Sequence, residues 1–231
     1  MQGDYLKIGK ATDIEDEKDR LIYRFFEILP GLLAWLTLVL MILLSFIQPV
    51  GIAIFIILFD VYFFIKTVYL SLHLRIAFGK VRKTMKANWL EMLRQLPVFD
   101  YQLSTIKSWE DVRHLIILPT YKEGADVISD SLDGLIKSNY PADKMIVAIA
   151  QEERAGHDFN QEVAKEVLSK YQSSFLKIIT VEHPANILGE LAGKGSNIAW
   201  AGRHVKREII DAMNLRYDHV LVSALDVDTV V

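Results

Sequence analysis

Three regimes of apolar and polar positions follow one another along this chain. Residues 28–47 (ILPGLLAWLTLVLMILLSFI) carry no charge over about 20 positions, the length of helix that crosses ~30 Å of hydrocarbon. Gln48-Pro49-Val50-Gly51 then brings turn chemistry. A second apolar run covers residues 50–65 (VGIAIFIILFDVYFFI), and its pattern fades by Leu72. This predicts two membrane-spanning helices joined by a very short hairpin. From residue 73 to 100 the chain interleaves Arg75, Lys80, Arg82, Lys83, Lys86 and Arg94 with Leu74, Ile76, Phe78, Trp89, Leu90, Met92, Leu93 and Leu96. Such interleaving suits a helix lying at a membrane interface, or a linker helix packed on the domain that follows.

The third regime begins at His114, where strand and helix periods alternate. Residues 114–118 (HLIIL) form a short apolar run stopped by Pro119, and read as a buried strand. Residues 126–137 place Val127, Ile128, Leu132, Leu135 and Ile136 at helical spacing. Residues 145–150 (MIVAIA) predict a second strand, 160–171 a helix with a polar face, 176–181 (LKIITV) a third strand, 196–213 a long helix, and 219–225 (HVLVSAL) a fourth strand. Strands alternating with helices imply an α/β domain with a mostly parallel sheet covered on both faces.

Composition sharpens the membrane reading. The chain is 52% hydrophobic over 231 residues, and the excess is concentrated in the two apolar runs. A secretory signal would have a shorter apolar core nearer residue 1, and here 27 mostly polar residues come first. A buried hairpin in a soluble core is the other reading of such lengths. Lys and Arg orient the spans. Lys7, Lys10, Lys18, Arg20 and Arg24 precede the first, and Lys66, Arg75, Lys80, Arg82, Lys83 and Lys86 follow the second, while the hairpin carries none. Both flanks, and the α/β domain with them, are therefore expected in the cytoplasm. Asp60 lies inside the second span, where a carboxylate costs about 2.5–3.5 kcal/mol on insertion scales. It is read either as a polar contact within a helix bundle or as a protonated or water-reaching side chain. A net charge of -3 gives no footing for nucleic acid, and the absence of cysteine excludes disulfides, thiolate zinc sites and cysteine nucleophiles.

In open parallel sheets, ligands bind beyond the carboxyl ends of the strands. The first strand is followed there by Pro119-Thr120-Tyr121-Lys122-Glu123-Gly124, and the second by Gln151-Glu152-Glu153-Arg154. The fourth is followed by Asp226-Val227-Asp228-Thr229, and Gly193-Lys194-Gly195-Ser196-Asn197 opens the last helix. In extended geometry Asp226 and Asp228 share a face. Two carboxylates side by side call for a hard cation, Mg²⁺ or Mn²⁺, completed by substrate phosphates; a solvated turn is the plainer reading. Tyr121 offers a face for a base, and Glu123 can accept ribose hydroxyl or base N–H bonds; a surface turn opened by Pro119 is the alternative. Lys194 stands where backbone amides and a helix dipole favour phosphate. A P-loop is excluded, because only three residues separate Gly189 from Gly193 and Gly195 follows Lys194. Glu152, Glu153 and Arg154 supply a base-reading carboxylate or a solvated charge run. His157, His183, His204 and His219 show no metal-ligand spacing.

Taken together, these clusters resemble family 2 glycosyltransferases of the GT-A fold, including the cellulose synthase and hyaluronan synthase branch. The resemblance rests on Pro119-Thr120-Tyr121-Lys122-Glu123, Gly193-Lys194-Gly195-Ser196-Asn197 and Asp226-Val227-Asp228, and covers residues 114–231. It implies that Thr120, Tyr121 and Glu123 hold the nucleoside, that Glu152 or Glu153 reads the base, and that Lys194 and Asn197 line the diphosphate and ribose. Asp226 would touch the nucleotide sugar and help hold the metal, with Asp228 as metal ligand. The family often has an Asp-rich loop after the second strand, and Gln151-Glu152-Glu153-Arg154 departs from that pattern.

The expected organisation is a cytoplasmic segment at 1–27, two transmembrane helices within 28–72, an interfacial or linker segment at 73–110, and a Rossmann-like GT-A domain from 111 to 231. The expected activity is transfer of a sugar from a nucleoside diphosphate to a glycan or lipid-linked acceptor at the cytoplasmic membrane face. The family's acidic general base is expected beyond Val231, so the domain reads as truncated and this stretch as inactive in transfer. Two other readings compete. One is a non-catalytic membrane-tethered protein whose domain binds a nucleotide or a partner. The other is a transporter or channel component, prompted by Asp60.

Overall fold

The computed structural model of the protein describes residues 8–95 and 106–228. The part of the linker reading that covers residues 96–105, and Thr229, Val230 and Val231, lie outside the described residues. The chain divides into two compact units, Ala11–Trp89 and Leu90–Val231, with Met1–Lys10 belonging to the second.

The first unit is helical. Helix α1 spans Glu17–Ile47 and starts at Asp16, whose side chain accepts the Asp19 N–H at 3.0 Å. It runs through Pro30 and ends at Gln48, and α2, Pro49–Thr84, begins at once with Pro at its first position. The turn chemistry read over four residues is thus condensed into Gln48 alone. At 1.5 Å per residue the helices are about 46 and 54 Å long, more than a bilayer core requires. Both are apolar enough to cross a membrane, and none of their residues is buried. That separates them from the core helices of a soluble protein, whose apolar faces are covered. Thr37, Thr67 and Ser71 direct their hydroxyls to the carbonyls of Leu33, Phe63 and Thr67, so each is satisfied within its own helix. The segment read as interfacial or linker, residues 73–110, is divided between two α-helices where it is described. Residues 73–84 continue α2 without a break, because Gly79 alone does not stop a helix that has good formers on both sides. A separate short helix, α3, spans Trp89–Arg94.

The second unit is the expected α/β domain. Four strands, β1 (Arg113–Pro119), β2 (Met145–Glu152), β3 (Lys177–His183) and β4 (Val220–Ala224), form an all-parallel sheet in the order β3-β2-β1-β4. Chain direction explains where the helices lie. Helices α4 (Ala125–Lys137) and α5 (His157–Tyr171) connect strands that step one way across the sheet. Helix α6 (Lys194–Val205) brings the chain back past β2 and β1. Right-handed crossovers then put α6 on the opposite face. The core splits accordingly: Ile116, Leu118, Val147 and Ile149 pack with Ile128, Leu132, Val163 and Val167 on one side. Leu115, Ile117, Ile146 and Ala148 pack with Ala201 and Val205 on the other. β1 and β2 are buried on both faces, which is why they read as continuous apolar runs. β4 lies at the edge, with Leu221 and Val222 exposed.

The helix expected over 196–213 starts two residues earlier, at Lys194, and its α-helical part stops at Val205. Lys206–Asp211 continue as a π-helix. The wider turn lets the consecutive Ile209 and Ile210 both reach the core.

Candidate functional site

Strand order places a site before any side chain is considered. The sheet grows from β1 toward β3 on one side and toward β4 on the other. The connections therefore part at the carboxyl ends of β1 and β4, leaving the crevice in which such sheets take ligands. A cleft of about 320 Å³ opens there. Thr120, Tyr121, Glu123, Glu152, Lys194, Asn197 and Asp226 line it, with Pro119 and Arg154. Of the residues expected in the donor site, Asp228 and the alternative base-reader Glu153 are not in this lining.

Each residue is positioned by a local cause. Pro119 ends β1, and the buried Thr120 keeps the chain on β2 through its N–H to the Ala150 carbonyl at 2.8 Å. Asn197, in the first turn of α6, reaches the same place from the other face: its Nδ2 donates to Ala150 O at 2.7 Å and to Thr120 O at 3.5 Å. Its Oδ1 is buried and has no partner among the described residues, so the floor of the cleft holds an unused acceptor. Tyr121 N–H donates to Glu123 Oε2 at 2.6 Å, closing the turn after β1 and leaving the Tyr121 ring exposed. Lys122 Nζ and the Arg154 guanidinium lie 5.3 and 5.5 Å from the centre of that ring.

Glu152 ends β2 rather than following it, and is 5% exposed. A buried carboxylate needs a partner, and Arg154 supplies it as an ion pair. Sequence reasoning gave Arg154 no role of its own; the available signal was its position two residues beyond an acid on a strand end. Of Glu152 and Glu153, the two acids named as base-readers, Glu152 lines the cleft. Glu153 accepts the Ala185 N–H at 2.6 Å and stands outside the cleft lining.

Lys194 is the first residue of α6 and forms an ion pair with Asp226. Gly193 precedes it, and the Ser196 hydroxyl accepts the Gly193 N–H at 3.2 Å, fixing the helix start. The amides of this first turn have no intrahelical acceptors, which makes the position suited to an anion.

The extended-strand picture of Asp226 and Asp228 needs correction. β4 ends at Ala224, the Leu225 N–H still reaches Ile117 O at 3.1 Å, and the chain then turns. Val227 is 4% exposed and packs into the α4–α5 side of the core, and the buried Ser131 hydroxyl of α4 donates to its carbonyl. Burying Val227 forces the turn, so Asp226 and Asp228 lie on a loop pinned at its centre rather than along one strand face. Asp226 lines the cleft, and Asp228 is exposed beyond it. Neither Ser131 nor Val227 was legible as a site support, because nothing local marks the contact between α4 and the end of β4.

Among the described residues no three His, Cys, Asp or Glu side chains are close enough to cage a metal. Of the expected pair only Asp226 lines the cleft, and one carboxylate there fits Mg²⁺ or Mn²⁺ in one way. Such ions take one or two carboxylates and complete their shell with substrate phosphates and water, and the phosphate-suited start of α6 adjoins Asp226 through Lys194.

No family model, curated protein or solved structure matches this chain.

Proposed function

We propose that the chain is the membrane anchor and donor-binding domain of a family 2 glycosyltransferase of the GT-A type. Its cleft would take a nucleoside-diphosphate sugar, with Mg²⁺ or Mn²⁺, for transfer to a glycan or lipid-linked acceptor. The observation that carries this reading is convergence. Segments from β1, β2, the start of α6 and the end of β4 meet in one cleft at the switch point of a parallel sheet, and each brings a residue type suited to one part of such a donor.

Tyr121 provides a stacking face, and Glu152 with Arg154 a paired acceptor and donor for a base edge. Glu123 and the free Oδ1 of Asn197 are acceptors for ribose hydroxyls. Lys194 and the first turn of α6 receive the diphosphate. The Lys194–Asp226 pair is about half exposed on both sides, a setting in which ion pairs contribute only about 0–1 kcal/mol. It can open when phosphate arrives, freeing Asp226 toward the cation. Asp226 and Asp228 would hold the metal, which when bound neutralises charge on the leaving diphosphate. In the transfer itself the acceptor oxygen would bond to the anomeric carbon as the bond to the diphosphate oxygen breaks, the nucleoside diphosphate leaving and the hydroxyl proton passing to a general base. The acceptor's base is assigned to none of the cleft residues. The positive flanks of α1 and α2 support a cytoplasmic position for this domain.

The test is titration of nucleoside diphosphates into the full chain in nanodiscs, with and without Mn²⁺. Mn²⁺-dependent saturable binding is expected. Binding that ignores Mn²⁺ removes the metal from this reading, and no binding of any nucleoside diphosphate overturns the reading itself. Binding without sugar transfer to any glycan or lipid-linked acceptor would favour a non-catalytic nucleotide-binding role.

A further inference from the structure

The connection from β3 to α6, residues 184–193, leaves the end of β3 and returns to it before it delivers Lys194. Near its start the Ala185 N–H donates to Glu153 Oε2 at 2.6 Å, just beyond β2. Asn186 and Gly189 then take left-handed backbone, with φ 60° and 76°. The Glu190 N–H donates to the Ile187 carbonyl at 3.1 Å, closing the turn that Gly189 permits. The chain is now back at β3, with Glu190 Oε1 3.3 Å from Nε2 of His183.

His183 makes this return worthwhile. It is the last residue of β3, 6% exposed, and stands opposite Glu152 in the register of β2 with β3. Its Nε2 has no hydrogen-bond partner among the described residues, and a buried polar atom left alone is costly. The Glu190 carboxylate, itself largely buried, brings an opposite charge to it. On its other side the His183 ring meets Trp200 of α6, the centroids 5.4 Å apart. Glu190 lies before Lys194 in the chain and Trp200 after it. His183 therefore brackets the start of α6 from both directions. Ten residues, 184–193, separate the strand from Lys194 in sequence, but only Leu191, Ala192 and Gly193 lie between the Glu190 contact and Lys194. A shorter free segment leaves less conformational freedom to be lost.

We propose that Glu190 is a positioning residue for the phosphate end of the cleft: through His183 it fixes the segment that presents Lys194, so that the lysine is in place before a ligand arrives. This rests on the donor-site reading of the cleft. A group ordered in advance does not have to be ordered on binding. Glu190 stands outside the cleft lining, so its effect on a ligand passes through Lys194.

The test is a double-mutant cycle on the full chain in nanodiscs with Mn²⁺. The parent, Glu190→Ala, Lys194→Ala and the double variant would be titrated with uridine, guanosine, adenosine and cytidine diphosphates. Glu190→Ala should weaken whichever of these the parent binds by roughly threefold to tenfold, the scale of ordering one side chain on binding. In the Lys194→Ala background the same change should cost nothing further. Unchanged affinity in Glu190→Ala overturns the proposal. An equal loss in both backgrounds, which a general loosening of the domain would give, overturns it too. A second readout needs no ligand: amide exchange at residues 191–197 should be several-fold faster in Glu190→Ala than in the parent, with β2 unchanged. Unchanged exchange at 191–197 shows that the His183 contact holds nothing, and overturns the proposal whatever the nucleotides do. A parent chain that binds none of the four diphosphates overturns the donor-site reading, and the positioning role with it, even where exchange at 191–197 responds.

Discussion

Asp226 and Asp228 differ because of the residue between them. Val227 is drawn into the core and its carbonyl is tied to Ser131, so one neighbour faces the cleft and the other faces solvent. Asp228→Ala should therefore leave folding stability within about 0.5 kcal/mol, as for other exposed substitutions. In the same variant, nucleoside diphosphate affinity in Mn²⁺ should fall to its metal-free level. Titration with and without Mn²⁺ checks this, and unchanged Mn²⁺ stimulation would remove Asp228 from the metal site. His114 offers a second test at this scale. Its Nε2 lies 2.9 Å from the Ser223 hydroxyl, bridging β1 to the edge strand β4, and burial holds its pKa below the ordinary 6.5. The unfolded chain takes up the proton first as pH falls, so the folded state is favoured fully above about pH 6.5 and loses that advantage as pH drops through the lowered value. His114→Gln cannot titrate, and the fall in Tm between pH 7 and pH 5 should be smaller in this variant than in the parent. Equal slopes would show that other groups govern the acid sensitivity.

At the scale of elements, the helices differ most from the pattern that announced them. The apolar runs mark where lipid is tolerated, whereas backbone hydrogen bonding continues into the charged flanks, giving helices of 31 and 36 residues. Both therefore carry Lys and Arg only away from Gln48. If those ends are cytoplasmic, a cysteine placed at Pro49, the first residue of α2, should react with a membrane-impermeant maleimide from outside intact cells. Reaction only after permeabilisation would invert the topology and put the cleft on the other side. The same contrast appears in α6, where Gly193 and Ser196 set the start two residues before the apolar pattern does.

For the molecule as a whole, the decisive arrangement is the sheet order. It gathers residues 119–124, 152–154, 193–197 and 225–228 at one end of the strands and leaves the connections at 138–144 and 214–219 at the other. Nucleoside diphosphate with Mn²⁺ should slow amide exchange at the first set of segments by several-fold and leave the second set unchanged. Hydrogen–deuterium exchange on the full chain in nanodiscs measures both at once. Protection confined to the second set would place binding at the wrong edge of the sheet.

What the sequence determined by itself is what depends on local periodicity. The two charge-free runs, the buried strands at Leu115–Leu118 and Met145–Ala150 within β1 and β2, and the helix around Ile128 and Leu132 are each set by neighbours a few positions away. The clustering of Thr120, Tyr121, Glu123, Lys194, Asn197 and Asp226 followed too, because parallel topology forces strand ends to one edge. Tertiary structure alone decided that Glu152 and not Glu153 enters the cleft, and that Val227 rather than an aspartate turns inward. Those outcomes depend on which side chain finds a partner 30 or more positions away, as Glu153 does at Ala185 and Ser131 at Val227. Periodicity carries no information at that range; only the packed core, where each buried polar group must find its partner, selects among the local choices.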